Sequence, residues 1–238
     1  MTYVMGFVAA VPNANRDDYR KFAADSVDYF KGLGATRMLE TWADDVPKGE
    51  KTDFYRAVAA KDDEAIVFSL QSFPDKATAD AANEKMMNDP AMADMGAKMP
   101  FDGARMIYGG FEAMSEHEGK GHAGYVEGSV IAVPNTARDA YQAYTNAMSE
   151  MFIESGAVRS VDAWGDMVPD GKQTDFKKAV AAKPDETVVF GWIEWPSKAV
   201  RDAAWGKLMA DPRMQAETAP GIDESRRIFG GFVPILDA

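Results

Sequence analysis

The sequence predicts an α+β fold in which two β-α-β-β-α-β units, joined in one chain, pack sheet to sheet as an internal pseudo-dimeric α/β barrel. Three observations carry that reading: an internal repeat, the order of hydrophobic patterns within each copy, and strands that are apolar on both faces. The repeat aligns Tyr3 with Tyr125 and runs without a gap to about Met95 and Glu217, with close to half of the positions identical. GFVAAVPN (6–13) matches GSVIAVPN (128–135), and TDFYRAVAAKDDE (52–64) matches TDFKKAVAAKPDE (174–186). Past a loop near residue 100, one residue shorter in the second copy, MIYGGF (106–111) meets RIFGGF (227–232). The 238 residues therefore divide into a first repeat at 1–114, a polar, glycine-rich linker at 115–124 and a second repeat at 125–238.

The elements follow in order. Tyr3 to Val11 is a β-rich apolar run stopped by Pro12 and reads as strand one. Tyr19, Phe22, Ala23, Ser26, Phe30 and Leu33 recur at helical spacing and end at Gly34; Tyr141, Tyr144, Thr145, Met148 and Phe152, ending at Gly156, repeat the arrangement. Arg37 to Val46 reads as strand two, and the loop from Pro47 leads to a short helical piece, Phe54 to Ala60. Glu64 to Phe73 is strand three. Pro74-Asp75, like Pro196-Ser197, supplies a stop and an N-cap for a second helix that carries Thr78, Ala81, Ala82 and Met86 inward. Arg105 to Phe111 is strand four, which completes a ferredoxin-like order.

A four-stranded sheet with both helices on one face leaves its other face bare. If that face met water, apolar and polar residues would alternate, yet TVVFGWIEW (187–195) and VMGFVAAV (4–11) are apolar on both parities. Both faces must be buried, and packing the two sheets face to face about 10 Å apart, helices outside, achieves it. The internal pseudo-dimer leaves room for further self-association.

Composition narrows the chemistry. Twenty-six basic against 38 acidic residues leave a formal charge of −12, which repels phosphate backbones and anionic headgroups, so neither nucleic acid nor a membrane is an expected partner. The chain has no Cys, which removes disulfides, thiolate metal sites and cysteine nucleophiles, and its start lacks the pattern of a secretory signal; a cytoplasmic location is expected. The two histidines, His117 and His122, fall in the linker without helical zinc spacing, so no metal, no cofactor and no Ser-His-Asp triad is expected.

Candidate site residues cluster on strand two. Glu40, Trp42 and Asp44 share one parity, as do Asp162, Trp164 and Asp166, with Arg37, Arg159 and Tyr108 as further polar candidates. One reading is a pocket in which an indole stacks on a small organic ligand while a carboxylate accepts a proton or hydrogen bond. The other is tryptophan as core filler, with the acids in solvent or paired with Arg37 and Arg159. Asp53 and Asp175, in the V-P-x-G-x-x-T-D-F segments, admit a ligand role or a helix cap. Gly109-Gly110 and Gly230-Gly231 lack phosphate-loop spacing and mark a bulge or a close backbone approach. Met86, Met87, Met92 and Met95 read as core filler. Between the copies, Met5 and Phe7 become Glu127 and Ser129, and Ser72 becomes Glu194; these polar residues line a single asymmetric pocket or lie at exposed strand ends.

The runs ATRMLETWADDVPKGEKTDF, DAANEKMMNDPAM and MPFDGARMIYGGF, with WPSKAVRDAAWGKLMADPRM in the second copy, resemble the bacterial YbaA-like family, catalogued as a domain of unknown function (number 1428). The resemblance covers each half once. It implies a dimeric α/β-barrel fold and a chain that looks like a fused dimer, and it brings no established activity or catalytic residues. The second copy departs from the MPFDG block, having PGIDESRRIFGGF (220–232), and the first from the GWIEWPSKAVRD block, so a site dependent on either would exist in one half alone. Two uses remain open: a small-molecule-binding or structural module, and a cofactor-independent enzyme, oxygenase-like or isomerase-like, working through carboxylate, arginine and aromatic groups between helices and sheet.

Overall fold

The structure, a computed structural model, describes residues 1–216 and 219–238; Glu217, the far end of the ungapped repeat alignment, lies outside the described residues together with Thr218. The first repeat runs β1 (Tyr3–Pro12), α1 (Arg16–Gly32), β2 (Arg37–Asp45), α2 (Phe54–Ala57), β3 (Glu64–Phe73), α3 (Lys76–Asn88), α4 (Pro90–Ala97) and β4 (Ile107–Glu118). The second repeats it: β5 (Tyr125–Pro134), α5 (Arg138–Glu154), β6 (Arg159–Met167), α6 (Phe176–Ala179), β7 (Glu186–Trp195), α7 (Lys198–Leu208), α8 (Pro212–Ala216) and β8 (Ile228–Asp237). The local signals act as their chemistry dictates. Gly34 and Gly156 take φ of 103° and 104° just beyond α1 and α5, and Asp75 caps α3 by accepting from the Thr78 amide at 2.8 Å.

The eight strands close into one antiparallel barrel in the order β1-β3-β2-β8-β5-β7-β6-β4. The two sheets thus do more than stack. Edge strand β2 of the first repeat pairs with β8 of the second, and β4 pairs with β6, so neither repeat keeps a free edge. Inward residues form the central core, including Val4, Val8, Leu39 and Phe111 with Val126, Val130, Val161 and Phe232. At its middle the equivalent rings of Phe68 and Phe190 stack at 4.5 Å and 5°. Gly6 and Gly128 make room for them: a Cβ on Gly6 would lie 2.9 Å from the Phe190 ring, and one on Gly128 2.7 Å from Phe68. Helices α2 and α6 add Phe54 and Phe176 to this cluster, edge-on to Phe68 and Phe190.

Pairs of identical contacts tie the repeats together. The Tyr3 hydroxyl donates to Asp166 at 3.0 Å, and the Tyr125 hydroxyl to Asp44 at 3.0 Å. Each phenol passes over the second glycine of a Gly-Gly pair. A Cβ on Gly110 would fall 2.2 Å from the Tyr3 oxygen and one on Gly231 2.1 Å from that of Tyr125, so the close backbone approach is the role of those glycines. Inside each repeat Arg105 grips Glu64, and Arg226 grips Glu186, through two hydrogen bonds of 2.6 to 2.7 Å, with all four side chains buried.

Some expectations need correction. Residues 115–118, read as linker, are the end of β4: Glu116 and Glu118 stand opposite Val161 and Arg159 on β6, because backbone pairing across the seam needs no apolar pattern. His117 is therefore in a strand, and 119–124 form the connection. The short helix ends at Ala57, because Ala59 turns to a φ of 46°. On α3 the inward stripe is Ala79 and Ala82, leaving Ala81 exposed; Met87, one step round the helix from Met86, is in solvent instead of the core. No helix among the described residues is long and apolar enough to cross a membrane.

Candidate functional site

Most of the candidate residues hold the barrel together. Arg37 makes two hydrogen bonds with Glu194 of the other repeat, at 2.6 and 3.0 Å, and two with Asp237 at 2.8 Å. Arg159 pairs with Glu116 across the second seam. Asp44 accepts from Tyr125 and Lys198, and Asp166 from Tyr3 and Lys76. Asp53 and Asp175 cap α2 and α6, accepting from the Arg56 and Lys178 amides at 2.7 Å, and also hold the Gly49 and Gly171 amides of the preceding loops. Trp42 is buried against Tyr19 beneath the Arg16 guanidinium, and Arg138 lies over Trp164. Tyr108 is exposed on the first repeat. Of the strand-two candidates and Asp53, Asp175 and Tyr108, Asp162 alone lines a cavity beneath the helices of the second repeat, which Glu127 and Ser129 line as well.

That cavity, of about 490 Å³, lies between the outer face of the second repeat's sheet and helices α5 and α7. Its size is that of an ordinary small-molecule site. Met148 and Phe152 of α5, Trp205 of α7 and Met214 of α8 supply apolar wall, and Phe229, more than half exposed, stands where it meets solvent.

The strand register explains why the space exists. Across the first repeat's sheet one helix-facing row reads Leu236, Glu40, Ser69, Phe7, Tyr108. The equivalent row of the second reads Ser115, Asp162, Gly191, Ser129, Phe229. In the adjacent row Met38 and Met5 give way to Ser160 and Glu127. Phe7 and Met5 pack with Tyr3, Phe30, Leu33 and Phe73 in the first repeat, filling the space between helix and sheet. Both replacements are polar, and Ser129 is far smaller than Phe7; the bulk it removes opens the cavity.

The same substitutions change the state of the acid in this row, buried as Glu40 and half-buried as Asp162. Glu40 accepts from the Tyr19 hydroxyl at 2.6 Å and also from Ser69. Asp162 is one methylene shorter and faces Gly191 where a serine would be; a Cβ there would lie 2.8 Å from its Oδ1 and 3.2 Å from Ser129 Oγ. Among the described residues no donor reaches Asp162, and burial pushes its carboxyl up to about 6, with Arg227 pulling the other way. Ser115, its cross-strand partner, carries a buried hydroxyl without a hydrogen-bond partner among the described residues. Glu127, by contrast, is held by two indoles, Trp195 at 2.8 Å and Trp205 at 2.9 Å, and burial still raises its carboxyl. Arg227, where the first repeat has Met106, donates to Glu224 at 2.7 Å.

The arrangement offers a largely apolar, aromatic-walled space with one carboxyl, Asp162, that no donor among the described residues meets: it can accept a hydrogen bond or a proton. Among the described residues no group of three or more His, Asp or Glu is placed to hold a metal ion. Glu127 and Ser129 were visible in the sequence as copy differences. Ser160, Gly191 and Arg227 were not singled out, although the same comparison, applied to Met38, Ser69 and Met106, carries the signal.

Comparison with known proteins adds the family and the fold. The model of the family described as "Protein of unknown function (DUF1428)" matches residues 2–103 and 124–223, once in each repeat. Proteins called "Uncharacterized protein YbaA" from Escherichia coli (strain K12) and from Shigella flexneri are each 54% identical over 114 residues, which span 97% of the relative and 48% of this chain. Those relatives are single-repeat chains. Among solved structures, a putative monooxygenase from Fusobacterium nucleatum subsp. nucleatum covers 99% of this chain and 93% of its own, with TM-score 0.62 and 9% identity. Another, from Lactobacillus acidophilus NCFM, covers 100% and 96%, with TM-score 0.60 and 11% identity. At those identities the likeness is one of fold.

Proposed function

This chain belongs to the DUF1428 family, in two copies, and from that premise we propose that its second repeat binds a small, largely apolar organic molecule while its first repeat completes the barrel. The observation that carries the reading is the asymmetry of the helix-facing row. Where Phe7 and Met5 fill the first repeat, Ser129 and Glu127 line a cavity of about 490 Å³ in the second, with Asp162 lacking a donor among the described residues. An apolar volume with few polar groups aimed into it is the usual form of a ligand site.

Thermal shift of the wild type and of Ser129→Phe, against a library of small organic compounds, tests it. Compounds should raise the melting temperature of the wild type and leave the variant unmoved, a ligand at a hundred times its Kd adding about 2.7 kcal/mol. A library that shifts both proteins alike, or neither, contradicts the reading.

A catalytic reading has one specific support. A carboxyl held at about 6 is poised to take a proton from a bound substrate at neutral pH, as cofactor-independent oxygenase-like or isomerase-like chemistry would require. Recovery of the bound compound decides between the readings: chemically altered, it favours the enzyme; intact, the binder.

A further inference from the structure

The two repeats together point to the chemistry of that ligand. Resting on the reading of the second repeat's cavity as a binding site, we infer that the ligand is a phenol whose hydroxyl donates to Asp162. The first repeat supplies the template. There the equivalent acid, Glu40, is met by a phenolic hydroxyl, that of Tyr19 at 2.6 Å, and an aromatic ring, Phe7, stands two strands away in the same row. Tyr141 occupies the position of Tyr19 in the second repeat, but no hydrogen bond joins it to the shorter Asp162, and the ring of Phe7 is replaced by Ser129. What the second repeat lacks, relative to the first, is therefore the ring of Phe7 and one neutral donor to the acid of that row.

Charge selects among donors. Arg201 and Arg227 both line the cavity and disfavour an ammonium ligand, while Asp162 and Glu127 disfavour a carboxylate placed between them. A neutral hydroxyl on an aromatic ring meets both constraints, and the walls of Phe152, Trp205 and Phe229 suit the ring.

Isothermal titration with 4-ethylphenol, its methyl ether 4-ethylanisole, and 4-ethylbenzoate tests the inference. The wild type should bind the phenol about tenfold or more tighter than the ether, which has the shape without the donor, and should bind the benzoate weakest. Asp162→Leu should reduce the phenol to the affinity of the ether and leave the ether unchanged, and Ser129→Phe should abolish both. Equal binding of phenol and ether, or preference for the benzoate, overturns the phenol while leaving the cavity as a binding site. If none of the three binds at millimolar concentration, the binding reading falls and the phenol with it.

Discussion

The two repeats share a scaffold and differ in two neighbouring rows of side chains. Much of what builds the barrel is present twice: the Tyr3–Asp166 and Tyr125–Asp44 hydrogen bonds, the stacked Phe68 and Phe190, and the Arg105–Glu64 and Arg226–Glu186 pairs. What differs is the helix-facing side of the sheet, solid in the first repeat and hollow in the second. A single-repeat chain that assembles as a symmetric dimer must use one sequence for both halves. Fusion lifts that constraint, so one half can keep bulk for stability while the other gives it up for a cavity.

The shared features should answer mutation equally. Arg105→Ala and Arg226→Ala each strand a buried carboxylate and should cost about 3 to 5 kcal/mol by chemical denaturation, with the two values alike. A clear inequality would mean that the repeats differ in their scaffold as well as in their cavity.

Protonation should separate them next. The folded state holds the proton of Asp162 up to about pH 6, against 3.8 for an ordinary aspartate. Its contribution is therefore fully present below about 3.8 and lost as pH rises through about 6, a decline of roughly 2 to 3 kcal/mol. Asp162→Asn should remove most of that decline. Glu64 and Glu186, held near 2 by their arginines, act in the opposite window, their stability present above 4.5 and lost as pH falls through about 2. Denaturation midpoints from pH 2 to 8 for wild type and variant measure both limbs, and an unchanged upper limb in Asp162→Asn would remove Asp162 from the account.

Exchanging one residue of the divergent rows should give opposite signs. Phe7→Ser opens the filled repeat and should cost about 2 kcal/mol, whereas Ser129→Phe fills the hollow one and should fall within about 1 kcal/mol of the wild type or above it. Comparable losses from both exchanges would mean that the second repeat is as tightly packed as the first. Smallest of all, Tyr3→Phe should cost about 1 kcal/mol for one hydroxyl at its seam, and Tyr125→Phe somewhat more, because its hydroxyl also accepts from Arg201 at 3.0 Å.

The fold was legible because its signals are local or periodic. Repeated GFVAAVPN-type strands, Gly34 and Gly156 as stops, and strands apolar on both parities leave few alternatives to a two-copy barrel. The closure of the sheet edges was not legible, since backbone pairing of Glu116 and Glu118 with β6 leaves no mark in side-chain pattern. The site was legible in part. Parity placed Asp162 correctly beside Trp164 and Asp166, but the same parity offered Asp44, Asp166 and Glu40, whose partners Tyr125, Tyr3 and Tyr19 come from distant segments. What makes Asp162 different is missing bulk at Ser129 and Gly191, on two other strands, and only the register brings the three together.

The central claim, that the space between helices and sheet is filled in the first repeat and open in the second, is open to a direct measurement: the crystal structure of the protein under xenon pressure, since xenon enters apolar cavities and marks them in an anomalous map. The account predicts a xenon atom among Met148, Phe152 and Trp205 in the second repeat and none at the equivalent place beneath α1 and α3. Xenon at both places, or at neither, would contradict it.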